Sequence, residues 1–147
     1  MFKKVLVPTD GSKLSQKAVA KAIELARLTG AGLLAVHVHP KFSGSPYGTF
    51  GPAEDILEEA HGRQAKAQAD KLFAGIKKQA DAAGVGFDSV LAVDDQVWKQ
   101  VIAIAQRKKC DVICMASHGR RGLAGVVLGS ETHKVLTHTS IPVLVLR

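Results

Sequence analysis

The hydrophobic positions of the chain fall into two alternating kinds of segment. Short β-branched runs stand at Val5-Leu6-Val7, at 33–38, at Val90-Leu91-Ala92-Val93, at 111–115 and at 142–146. Apolar at consecutive positions, they predict five strands buried on both faces. Between them, longer segments repeat apolar residues at helical spacing. In the first, Leu14, Ala18, Ala22 and Leu25 share a stripe with Val19, Ile23 and Ala26 beside it, and Thr29-Gly30 supplies a glycine stop. A second runs from about Pro52 to Ala83 and ends at Gly84. A third covers Gln96 to Lys108 with Val97, Val101, Ile104 and Ala105 inward, and a fourth begins near Gly129-Ser130 and carries Val135 and Leu136.

Strand and helix alternating four times predict an α/β fold: a single doubly wound domain over residues 1–147, with parallel strands, right-handed crossovers and helices on both faces. Periodicity does not dictate strand order. A five-stranded sheet with the first strand central, in the order 3-2-1-4-5, is the expected arrangement. It places the default ligand crevice beyond the C-terminal ends of strands one and four. The segment 40–51 fits no element: its glycines and prolines mark a loop, and Phe42, Tyr47 and Phe50 lie in it. A lid, a partner contact and a tolerated insertion all fit.

Length and composition narrow the classes. The chain has 147 residues, of which 46% are hydrophobic, enough for one core and too few for two domains. No run approaches the roughly 20 apolar residues that span a bilayer, and Met1-Phe2-Lys3-Lys4 leads into a run too short for a signal peptide. The expectation is therefore a cytoplasmic protein with no membrane association. Cys110 and Cys114, spaced C-x3-C, match no common zinc or redox pattern and read as reduced core thiols. The net charge of +7 is spread along the helices with few aromatics, which argues for solvated faces and against nucleic acid. His37 and His39 alternate on one strand face; a crevice-rim or core role is expected rather than a metal pair, and no metal ligand set is assigned.

The strongest chemical signal runs from Met115 to Ser130. It leaves a buried strand, passes through a glycine-rich stretch and ends at Gly129-Ser130, where helical periodicity begins. Small residues let backbone N–H groups approach phosphate oxygens, and a helix start adds unpaired donors. Ser130 is also a good N-cap, so spacing alone is equally consistent with a structural turn.

Here the chain resembles the ATP-binding universal stress proteins, whose pattern is Gly, two residues, Gly, nine residues, then Gly followed by Ser or Thr. Gly119, the residues 120–128 and Gly129-Ser130 match it, while Ala116 replaces the first Gly. The resemblance extends from Val5–Ser12 to Ile141–Val145. It implies that Pro8, Thr9 and Asp10 line the crevice, with Asp10 near the ribose or a metal on the phosphates; a cap of the first helix is the other reading of Asp10. It implies that the Val38 backbone meets the adenine edge, and that Met115, Ala116 and Gly119 border the ribose and first phosphates. Gly129, Ser130, Glu131 and Thr132 would hold the phosphate tail. Arg120 or Arg121 would reach the phosphates through its planar fork. Asp94-Asp95 stands where the family commonly has a small residue, and both it and Glu131 would repel a triphosphate unless a cation intervenes.

The resulting expectation is an ATP-binding stress-response regulator, with Mg²⁺ or Mn²⁺ bound through the phosphates, acting as a homodimer through its C-terminal strand on a regulatory protein partner. No catalytic residue is assigned, since no Walker loop or nucleophile–base pair occurs, and hydrolysis is expected to be absent or slow. The alternatives are an ATP-using enzyme of the adenylating or pyrophosphatase type and a dimer that binds no nucleotide. A receiver domain is disfavoured, because Asp10 stands alone and Ser117-His118 replaces the required Lys. Gly129 is expected to be the position where substitution most selectively removes nucleotide binding, with folding affected less.

Overall fold

The computed structural model describes residues 1–44, 47–48, 51–119 and 128–147. Its elements follow the expected alternation: β1 Lys4–Pro8, α1 Lys13–Thr29, β2 Gly32–His39, α2 Pro52–Ala82, β3 Phe87–Val93, α3 Val97–Arg107, β4 Val112–Ala116, α4 Ser130–His138 and β5 Val143–Leu146. All strands are parallel, in the order β3-β2-β1-β4-β5.

Because side chains alternate along a strand, each central strand feeds both faces of the sheet. Val5 and Val7 point into the layer beneath α1 and α2, with Val19, Ala22, Phe73, Ile76 and Cys114. Leu6 points the other way, into the layer beneath α3 and α4, with Leu34, Val36, Val101, Ile104 and Val135. Both cysteines are buried and unpaired, and burial pushes the Cys114 thiol up to about 11, so it is a packing residue with no nucleophilic character.

The edges depart from the sequence expectation. β3 starts at Phe87, three residues before the expected Val90, and is only partly buried, with Val93 48% exposed. Asp88 and Ser89 hid this start: an edge strand has a wet face, so its pattern is not a continuous apolar run. In α1 the fully buried face is Ser15, Ala18, Val19, Ala22, Ile23 and Ala26, and Leu14 and Leu25 lie at its half-buried rim. Ser12 caps this helix through its hydroxyl, which accepts the Ser15 amide at 3.2 Å, and Gly30 closes it at φ 69°.

Parallel strands place every strand exit on one edge of the sheet. There the exits of β1 and β4, adjacent in the sheet yet joined to helices on opposite faces, open the crevice at the topological switch point.

Candidate functional site

The β1 exit is built as a rigid wall. Thr9 is 6% exposed; its amide donates to Val36 O at 2.8 Å and its carbonyl accepts from His37 Nδ1 at 2.8 Å. Its hydroxyl lies 3.1 Å from Ser15 Oγ, and Ser15 Oγ donates onward to Ser12 O, so the Thr9 hydroxyl is the donor in that pair. All three polar groups of Thr9 are thus engaged inside the fold, and it borders the crevice through its backbone. Asp10 Oδ1 accepts the Ser12 amide at 2.9 Å, an Asx turn preceding the helix. The N-cap of α1 is Ser12, not Asp10.

Across from it, β4 delivers Met115 and Ala116, 6% and 8% exposed, then Ser117 and His118. The two glycines of the spaced pattern sit at close approaches. A Cβ on Gly119 would lie 2.7 Å from Asp10 Oδ2, so the turn after β4 rests against the carboxylate at the end of β1. A Cβ on Gly129 would lie 2.9 Å from Ser117 O and 3.3 Å from His118 Cα. The Gly129 amide donates to Ser117 O at 2.6 Å, which closes the loop at its neck.

The same geometry shows what holds Gly129, Glu131 and Thr132 within the fold. Gly129, not Ser130, is the N-cap of α4, and no side chain caps that helix. Gly129 faces backbone atoms, which move only with the fold, so its substitution disturbs folding as well as any ligand. Glu131 is held at the start of α3: its Oε2 accepts the Trp98 amide at 2.9 Å and its Oε1 lies 3.7 Å from Lys134 Nζ. Glu131 therefore caps the N-terminus of α3, which has no side-chain cap of its own. Thr132, 3% exposed, donates its hydroxyl to Ala116 O at 2.9 Å and ties α4 to the end of β4.

His118 has Nδ1 3.0 Å from Ser117 Oγ, while its Nε2 is buried without a hydrogen-bond partner among the described residues. Such an orphan costs about 1–3 kcal/mol until something satisfies it. Arg120 and Arg121 lie outside the described residues. Val38 stands half-buried in β2 opposite Ala92, and Pro8 is half-buried at the end of β1.

The paired carboxylates after β3 serve local structure. Asp94 accepts the Gln96 amide at 3.0 Å and Gln100 Nε2 at 2.9 Å; these bonds, the backbone one first, hold its carboxyl below the usual range. Asp95 accepts the Lys41 amide at 3.0 Å. His37 and His39 do share a face, with ring centroids 6.1 Å apart, and His61 from α2 stacks 4.9 Å from His39 while bonding Pro40 O. Among the described residues no group of three or more His, Cys, Asp or Glu side chains could hold a metal ion. Sequence reading missed His61 because its contact spans 22 positions and belongs to no motif.

With this geometry in hand, comparison with known proteins is informative. The family model for the universal stress protein family matches residues 1–147. Universal stress protein YxiE of Bacillus subtilis is 31% identical over 150 residues, covering 100% of both chains. The solved structure of MJ0577 from Methanocaldococcus jannaschii superposes with a TM-score of 0.83 at 25% identity, covering 99% of this chain and 96% of that one. Two structures of the same fold, at TM-scores of 0.70 and 0.63 and 23% and 21% identity, were solved with cAMP and, from Archaeoglobus fulgidus, with dAMP; they cover 99% and 100% of this chain, and 97% and 98% of their own.

Proposed function

The chain belongs to the universal stress protein family, and from that premise we propose that its β1/β4 crevice binds an adenine nucleotide, ATP with Mg²⁺ or Mn²⁺, as a regulatory signal. The observation that carries the reading is the approach of Gly119 to Asp10: a backbone without a side chain, at the switch point, beside a carboxylate. Asp10 would serve the ribose or a cation on the phosphates. The orphaned Nε2 of His118 supplies a second argument, since a ligand oxygen would satisfy it. The neck at Gly129 and the exposed start of α4 at Ser130 would offer backbone donors to the phosphate tail. Proteins of the same fold were solved with cAMP and dAMP, which supports an adenine nucleotide as the ligand class.

The bound metal would neutralise phosphate charge that the described groups do not. Asp94, Asp95 and Glu131 are held in local structure by N–H donors and keep their charge, a further reason for a cation on the phosphates. The described residues hold no helix long and apolar enough to cross a membrane, and the reading places the protein in the cytoplasm. Hydrolysis is slow or absent in this reading, far below the roughly 10 s⁻¹ typical of enzymes. The active form is a homodimer through β5, an edge strand whose Leu144 is 42% exposed, and it signals through a regulatory protein partner.

The test is Gly119→Ala. The new methyl group displaces a flexible carboxylate, not backbone, so the fold survives while Asp10 is driven from its place. ATP affinity measured by calorimetry should fall at least about tenfold with little change in melting temperature. Unchanged affinity would remove the site from β1 and β4.

A further inference from the structure

α2 packs on β2 and β3 through Ala65, Ala69, Phe73, Ile76 and Ala80, and its opposite face is exposed along the whole helix. On that face alanines recur at every seventh position, 53, 60, 67 and 74, and four residues after each stands a longer side chain: Leu57, Gln64, Lys71 and Lys78. Alternating steps of four and three make the 3.5-residue repeat by which one helix seats against another. Leu57 and its neighbour Ile56 are 42% and 64% exposed, an apolar patch on a helix face that no element among the described residues covers.

Charge selects the occupant. Between Pro52 and Gln64 the helix carries Glu54, Asp55, Glu58 and Glu59 against Arg63, and between Ala65 and Ala82 it carries Lys66, Lys71, Lys77 and Lys78 against Asp70 and Asp81. One half is acidic and the other basic, so the helix is complementary to itself only when a second copy runs antiparallel. We propose that the outer face of α2 docks in this way onto the α2 of a second copy of the chain. Leu57 then faces the alanine at 74, the alanine at 60 faces Lys71, and Lys78 lies beside Glu54. A long side chain meets a small residue at each step, and the contact is isologous. It lies across the sheet from β5 and is independent of the nucleotide reading.

Disulfide trapping tests it. In a Leu57→Cys/Ala74→Cys double variant, the two thiols of one chain are 17 residues apart on one helix, about 25 Å, too far to join. The native thiols are buried. Mild oxidation at low salt should give a covalent dimer at least about tenfold faster than either single variant. Adding Lys71→Glu and Lys78→Glu should slow it at least about tenfold, with thermal melts confirming that every variant is folded. A double variant that links no faster than the singles, or reversed charges that leave the rate unchanged, would overturn the proposal.

Discussion

Replacing Gly129 with alanine adds one methyl group at a position where the neighbours are backbone. Its Cβ would stand 2.9 Å from Ser117 O, closer than real Cβ atoms come, and 3.3 Å from His118 Cα, a tight contact. Neither contact is the end of a flexible side chain, so the loop neck must open. Overpacking of this kind costs about 1–3 kcal/mol. Opening also strains the 2.6 Å bond from the Gly129 amide to Ser117 O, worth about 1 kcal/mol. The sum, about 2–4 kcal/mol, corresponds to a melting temperature lower by about 6–15 °C in a chain of this size. The backbone dihedrals of Gly129, φ −67° and ψ 152°, are open to any residue, so the loss is one of space alone. Gly62→Ala is the control: it lies within α2 with nothing near its Cβ and should be neutral or stabilising by up to about 1 kcal/mol. Calorimetric melts without nucleotide decide the matter. A Gly129→Ala protein that melts with the wild type would refute the geometry of the neck.

Three further outcomes follow from the same fold. Glu131→Ala leaves the Trp98 amide without its acceptor and should destabilise the fold by about 1–2 kcal/mol in chemical denaturation, with α3 amides exchanging faster. The His39 ring is held below the ordinary histidine value by burial first and then by the charges of His61 and His37. The unfolded chain therefore takes up the proton first, so stability should fall as pH drops below about 6.5, and His39→Asn should flatten that slope in denaturation series across pH 5 to 7. Leu144→Lys places a charge on the open edge of β5 and should reduce β5-mediated dimerisation in light scattering while leaving the melting temperature of the monomer within about 2 °C.

The sheet was legible because its central strands are continuous apolar runs. Val5–Val7, Leu33–Val36 and Val112–Met115 have nowhere to go but a layer covered on both sides, and the alternation with helices leaves few topologies. Legibility failed where burial is one-sided or distant in sequence. Asp88 and Ser89 concealed the start of β3 because an edge strand tolerates polar residues. Ser130 looked like a cap by residue type; the close approach of the Ser117 backbone requires a residue without a side chain one position earlier, and Gly129 takes the cap. Glu131 reaches Trp98 across 33 positions and His61 reaches His39 across 22, and no local pattern encodes either contact. The glycine spacing marked two close approaches, Gly119 on Asp10 and Gly129 on the Ser117 backbone, and these give a physical reason for both glycines.

Equilibrium binding of ATP by calorimetry, with Mg²⁺ and then with excess EDTA, tests the central claim most directly. The account predicts saturable one-site binding per chain in the presence of the metal, at least about tenfold weaker in EDTA, and lost in parallel with the Asp10 contact in Gly119→Ala. No saturable binding up to about 1 mM ATP, equivalent to less than roughly 4 kcal/mol of affinity, from a folded wild-type protein would contradict it.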